Sequence, residues 1–315
     1  MVRLSHRVRP QAEAEAAAVA AVQRFPRSPE VLWQVAMHCA NPAQYARVWA
    51  TWQQSARADD LVRVVRQLTV AAARSGEVAA ACDLYRQAVQ LVLAGKRPPA
   101  GVVRTRLGGL GARRAIEDLV RALDGAGVPF FFAAGTALGL VREGRPLGAD
   151  GDIDVGIFDA DWDRERLIDV FTRDPRFDLD LHPQTQKVGL RHRGGAPIDI
   201  FRFYRDGDTV WHDGVFVRWR NSPFTVERRD VGGQLLPLPA EADRYLTENY
   251  GDWRTPNPAF DAFTDDAPNV EVTWPEYQRM HLLRRAYERL VAGDAEAARR
   301  ELHRADEGAL AGRIG

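Results

Sequence analysis

The chain has 315 residues, of which 45% are hydrophobic and 27% charged, with 43 basic and 43 acidic side chains. That length suits one large or two modest domains with real cores, and the composition excludes a disordered or fibrous chain. The charge balance excludes a global field for nucleic acid or an anionic membrane, so no nucleic-acid partner is expected.

The two cysteines, Cys39 and Cys82, have neither metal-ligand spacing nor a disulfide framework, so a reducing, cytoplasmic setting is expected. The basic start and alanine-rich continuation imitate a signal peptide, but Glu13 and Glu15 interrupt it. Nowhere is there a run of about eighteen apolar residues, so no transmembrane segment is expected.

From Gln11 to Gly95 the pattern is helical throughout: Gln11 to Phe25, Pro29 to Ala40, Pro42 to Ala56, Asp59 to Arg74 and Val78 to Leu93. Ser28 and Asn41 are placed as N-caps, each with a proline just inside the following helix. The segment SGEVAAACDLYRQAVQLV is similar to half of a tetratricopeptide-type repeat, with an irregular period. A helical module over residues 1–105 is expected, either one that docks a protein partner or one that buttresses the rest of the chain. Lys96 to Gly111, with Pro98-Pro99 and four glycines, reads as a linker. A helix from Ala112 to Gly125 then feeds an apolar run, Phe130 to Ala134.

Next comes the stretch GTALGLVREGRPLGADGDIDVGIF, Gly135 to Phe158. It predicts a tight turn at Gly135-Thr136, a short helix from Ala137 to Arg142, a Gly/Pro-rich turn, and a strand from Asp152 to Phe158. Alternation on that strand puts Asp152 and Asp154 on one face, with Ile153 and Val155 on the other. Two such carboxylates need a cation, and hard oxygen ligands suit magnesium, with manganese as the variant. The Gly-Thr turn ahead of a helix offers backbone N–H groups to a phosphate. A calcium loop is excluded, because Val155 stands where that loop needs glycine.

A helix from Asp159 to Arg173 is expected next, then strands at Phe177 to His182, Lys187 to His192, Ile198 to Tyr204 and Thr209 to Trp219. Helices at Ala240 to Tyr250, Pro275 to Ala292 and Asp294 to Asp306 complete the chain. This order predicts an α+β (α/β-like) mixed sheet with packed helices over residues 106–265, preceded by the helical module and followed by a helical extension at 266–315. Asp199, flanked by Ile198 and Ile200, is an isolated acid on a strand, and a metal already held by Asp152 and Asp154 would explain it. His182, His192 and His212 lack zinc spacing.

These residues resemble the central motif of the LicD and fukutin family within the nucleotidyltransferase superfamily, a pattern running roughly GTLLGxxRxxxxIPWDDDIDI. Gly135, Thr136, Leu138, Gly139, Arg142, Asp150, Asp152, Ile153 and Asp154 fall in register with it. Asp199-Ile200-Phe201 matches a later DIF element, and LPAEADRYLTENYGDWRTP resembles the family's tyrosine-glycine segment. The resemblance covers Ile116 to Pro256. It departs at Gly148-Ala149-Asp150-Gly151, where the family has Pro-Trp-Asp-Asp.

The resemblance implies a nucleotidyltransferase-type sheet. It also implies transfer of a phosphate-linked group, such as phosphocholine or a polyol phosphate, from a cytidine diphosphate donor to a sugar hydroxyl of a glycan or glycolipid. Asp152 and Asp154 would hold magnesium, and Asp199 would hold a second metal or accept a proton. Gly135 and Thr136 would seat phosphates, and Arg142 and Lys187 could contact them. Two other readings stand beside it: nucleotidyl transfer to a small molecule or protein, and an inactive helical adaptor.

Overall fold

Ser28 and Asn41 act as their positions predict: the Ser28 hydroxyl accepts from the Val31 N–H at 3.3 Å, and Asn41 Oδ1 from the Gln44 N–H at 3.0 Å. The structure, a computed structural model, describes residues 11–98, 109–148, 150–181, 186–257 and 259–314. The basic N-terminal residues 1–10, most of the linker, Ala149 and His182 lie outside that set.

Helices α1 (Gln11–Arg24), α2 (Pro29–His38), α3 (Pro42–Ser55), α4 (Leu61–Arg74) and α5 (Val78–Leu93) come first, then α6 (Gly109–Gly125). Strand β1 (Phe131–Phe132), helix α7 (Ala134–Glu143), strand β2 (Ile153–Phe158) and helix α8 (Arg164–Arg173) follow. After them run β3 (Phe177–Leu179), β4 (Val188–His192), β5 (Pro197–Asp206), β6 (Thr209–Asp213), β7 (Val217–Asn221), β8 (Val226–Val231) and β9 (Gln234–Pro239). The chain ends with α9 (Ala242–Tyr250), β10 (Val270–Val272), α10 (Pro275–Val291), α11 (Ala295–Arg304) and α12 (Gly308–Ala311).

Two compact units form, one from residues 1–102 with 274–315 and the other from 103–273. In the first unit, α10 packs on α5 and α11 on α10. The helices set apart by the sequence as a C-terminal extension therefore share a core with the N-terminal ones. Leu283 and Ala286 are buried with Leu84, Ala88 and Val89. The same helix ending recurs: Gly76 at φ 83° and Gly293 at φ 81° each terminate a helix in the left-handed region. In each case the next N–H bonds back to a carbonyl of the last turn, at 2.9 Å. Cys39 and Cys82 are free and buried, and burial pushes both thiols up to about 11. Among the described residues no helix is long and apolar enough to cross a membrane.

The second unit is a mixed α+β fold. Its main sheet runs β1-β2-β5-β6-β7-β10, with β4 on the first half of β5 and β3 beside β4. Only β2 and β5 are parallel among the described pairs; the chain between them supplies α8, β3 and β4. Ile153, Val155 and Ile157 of β2 and Ile198 and Ile200 of β5 are fully buried, which fixes the register, because a one-residue slip would carry the acids into the core.

Three expectations change. The single strand from Thr209 to Trp219 is two, β6 and β7, turning at Gly214, where a Cβ would stand 3.0 Å from the Trp219 ring. The β8–β9 hairpin, turning on Gly232-Gly233, and the short β10 were not foreseen; Gly-Gly between a polar run and an apolar one signals the former. Helix α7 begins at Ala134, so Gly135 and Thr136 lie in its first turn instead of in a turn ahead of it.

Candidate active site

The acids of β2 and β5 meet because of strand register. Asp154 pairs with Asp199 across the parallel β2–β5 ladder, so the two side chains leave the same face of strands spaced about 4.8 Å apart. Asp152 immediately precedes β2, two residues from Asp154. On the other side of β5, Gly189 of β4 stands opposite Asp199, and Lys187 precedes it by two. Lys187 forms an ion pair with Asp199 through Nζ and Oδ2.

Asp154 is gripped by its backbone. Its N–H donates to the Thr136 hydroxyl at 2.8 Å, and its carbonyl accepts from the Ala133 N–H at 3.0 Å. Thr136 is only 1% exposed, and its side chain braces the acid strand. Ala134 holds φ +43°, unusual for a residue with a Cβ, and its N–H donates to the Tyr245 phenol at 3.1 Å. Helix α9 thus fixes the entry of α7.

Glycine is required at two close approaches. A Cβ on Gly135 would collide with the Asp150 carboxylate, and one on Gly156 would enter the Phe131 ring that covers it across the β1–β2 pair. On the same face of the sheet, farther along β2 and β5, lies an aromatic cluster in which Phe131 meets Phe203, Phe224 and Phe158 at centroid distances of 4.9, 5.3 and 5.1 Å.

Burial, followed by the charges of Asp152, Asp150 and Asp199, pushes the Asp154 carboxyl well above the ordinary carboxylate range, with Lys187 opposing. Burial also raises Asp150, against the Gly151 N–H that donates to it. The Tyr250 phenol is raised by burial and then by Asp154. Tyr245, Tyr250 and Asp150 belong to this site although the sequence did not mark them as site residues. The YLTENYG segment carried the signal for the tyrosines, and the register of Asp150 with the central motif carried the third.

Arg142 is engaged elsewhere. It donates to the Trp253 carbonyl at 3.0 Å and to Glu143 at 3.2 Å, which ties the end of α7 to the segment after α9. A depression of about 460 Å³, lined by Val141, Arg229, Arg244, Trp253 and Arg254 among others, includes none of Asp150, Asp152, Asp154 and Asp199.

The donor set is all carboxylate oxygen, the chemistry of magnesium or manganese, and a half-buried aspartate among three others needs positive charge. The residue types therefore fit a hard divalent cation. As the side chains stand, no three acidic, histidine or cysteine groups among the described residues converge closely enough to hold one.

Residues 127–232 match the family described as LicD/FKTN/FKRP, nucleotidyltransferase domain. Over this segment the chain is similar to the LicD/fukutin family. The LicD-type segment contains Gly135, Thr136, Asp150, Asp152, Asp154, Lys187 and Asp199, while Tyr245 and Tyr250 lie beyond it. Among curated proteins the chain is similar to ribitol-5-phosphate transferase FKTN of Mus musculus, 26% identical over 179 residues, and of Homo sapiens, 25% identical over 188 residues. The match takes in 52% of this chain and 38% of each relative, so it spans little more than a third of those proteins.

Proposed function

We propose that the chain is a metal-dependent transferase that moves a polyol-phosphate group, of the ribitol-phosphate type, from a cytidine diphosphate donor to a sugar hydroxyl of a glycan. The observation that carries this reading is the pairing of Asp154 with Asp199 on adjacent parallel strands, inside the LicD-type segment and next to the first turn of α7. The names of the relatives support the transferred group.

In this reading the first turn of α7, at Gly135 and Thr136, receives the donor phosphates on backbone N–H groups at the positive end of the helix. Asp199 accepts the proton of the attacking sugar hydroxyl. The hydroxyl oxygen bonds to the phosphorus of the transferred group, the bond to the bridging oxygen breaks, and cytidine monophosphate leaves. A divalent cation held by Asp152 and Asp154 would neutralise charge on the donor phosphates. The buried aliphatic face of β2 and β5, with Ile153, Val155, Ile198 and Ile200, keeps the acids in place through the exchange.

The test is calorimetric titration with CTP, ATP and cytidine diphosphate linked to ribitol, glycerol or choline, with and without magnesium, on wild type and the Asp152→Asn/Asp154→Asn variant. Magnesium-dependent binding of one cytidine diphosphate conjugate, lost in the variant, is expected. Tighter binding of a plain triphosphate would replace this reading with nucleotidyl transfer. No binding across the panel, with an acceptor glycan also present, would leave the adaptor.

A further inference from the structure

The charges of Asp150, Asp152 and Asp199 all act on Asp154 near the start of β2 and β5, and Lys187, paired with Asp199, opposes them. Its placement is built. Lys187 enters β4 two residues before Gly189, which stands opposite Asp199, so the lysine and the aspartate share a face. The ammonium lies on Asp199 Oδ2 and 5.7 Å from the centre of the Phe201 ring. Both side chains are largely enclosed, at 22% and 20% exposure. Gly189 cannot be replaced by a larger residue, because a Cβ would strike the Asp180 carbonyl; it would also sit 3.6 Å from Asp199 Oδ1. One oxygen of Asp199 is thus covered by the ammonium, and the other faces a position without a side chain.

Sites that transfer phosphorus groups with two metals place the ions about 3.5–4 Å apart. An ammonium paired with Asp199 competes with a second ion for that carboxylate and supplies a single positive charge there.

We propose that Lys187 is the built-in cation of Asp199, so that the acidic face takes one divalent ion, at Asp152 and Asp154, and Asp199 stays out of its coordination. This rests on the reading above only in treating those acids as cation-binding. Lys187 is then a positioning residue: it holds Asp199 as a proton acceptor and sets the ion count.

The experiment is titration of the full chain with manganese, followed by electron paramagnetic resonance and without any donor, on wild type, Lys187→Met, Lys187→Arg and Asp199→Asn, with thermal unfolding as the folding control. Wild type, Lys187→Arg and Asp199→Asn are expected to bind one ion per chain. Lys187→Met is expected to bind a second, and the Lys187→Met/Asp199→Asn double variant to return to one. Two ions in wild type, an unchanged count and affinity in Lys187→Met, or loss of the ion in Asp199→Asn would each overturn the proposal. If Lys187→Met does not fold, the Asp199→Asn arm decides alone. A single bound ion with no binding of any cytidine diphosphate conjugate would count against the transferase reading and leave the lysine's role standing.

Discussion

Ala134 is the residue at which the site departs most from ordinary backbone. A side chain in the left-handed region costs about 1–2 kcal/mol, and the residue persists there because the Tyr245 phenol accepts its N–H at 3.1 Å. Ala134→Gly should therefore raise stability by about 1 kcal/mol in urea unfolding, against the usual loss for glycine in a helix. Tyr245→Phe should lower it by about 1–3 kcal/mol, since the buried N–H loses its acceptor. The double variant should depart from additivity, because both changes act on one turn. Equal destabilisation by both single variants would show that the turn is unstrained.

Helix α6 is joined to the outer strands by a polar cluster buried between them. His192 of β4 reaches Asp118 of α6 at 3.1 Å through Nε2, and the Gly194 N–H donates to His192 Nδ1 at 3.0 Å, which leaves the ring proton on Nε2 facing the carboxylate. Arg176, just before β3, bonds Asp118 at 2.9 Å and Asp174 at 2.6 Å. Burial acts to raise the Asp118 carboxyl, but the His192 hydrogen bond and the Arg176 charge outweigh it and hold it below the usual value. A lowered folded pKa contributes stability that is fully present above the unfolded value of about 3.9 and is lost as pH falls through the folded one. Asp118→Asn should thus lower the urea midpoint at pH 7, and the gap from wild type should close as pH falls below the unfolded value and through the lowered folded one. A gap independent of pH would show that the charge contributes nothing.

At the scale of the molecule, the first unit is closed by its last helices. Tyr287 of α10 donates its hydroxyl to the Val62 carbonyl of α4, and Leu283, Ala286 and Ala298 have no exposed surface. A chain truncated after residue 273 should lose amide-exchange protection in α4 and α5, because apolar surface of α5 would be opened to water, while β2 and β5 keep theirs. Unchanged protection in α5 would mean that the C-terminal helices are only a cover.

Local chemistry was enough to read many elements. Caps at Ser28 and Asn41 and the alternation from Asp152 to Phe158 each act within a few residues, so the helices they start and strand β2 were legible from the chain. The spacing of Asp152, Asp154 and Asp199 identified the acids for the same reason: alternation dictates which face a strand residue takes. Pairings made across the fold were not legible. The early start of α7 depends on Tyr245, 111 residues later, and the engagement of Arg142 depends on Trp253. The ion pair of Lys187 with Asp199 follows from the β4–β5 register, and the union of α10 with α5 follows from apolar faces that any helix could have covered. A sequence determines which face each element needs to bury and where each acid must point; only the tertiary structure decides which distant element answers that need, because burial is non-directional and many partners satisfy it equally until the whole chain is packed.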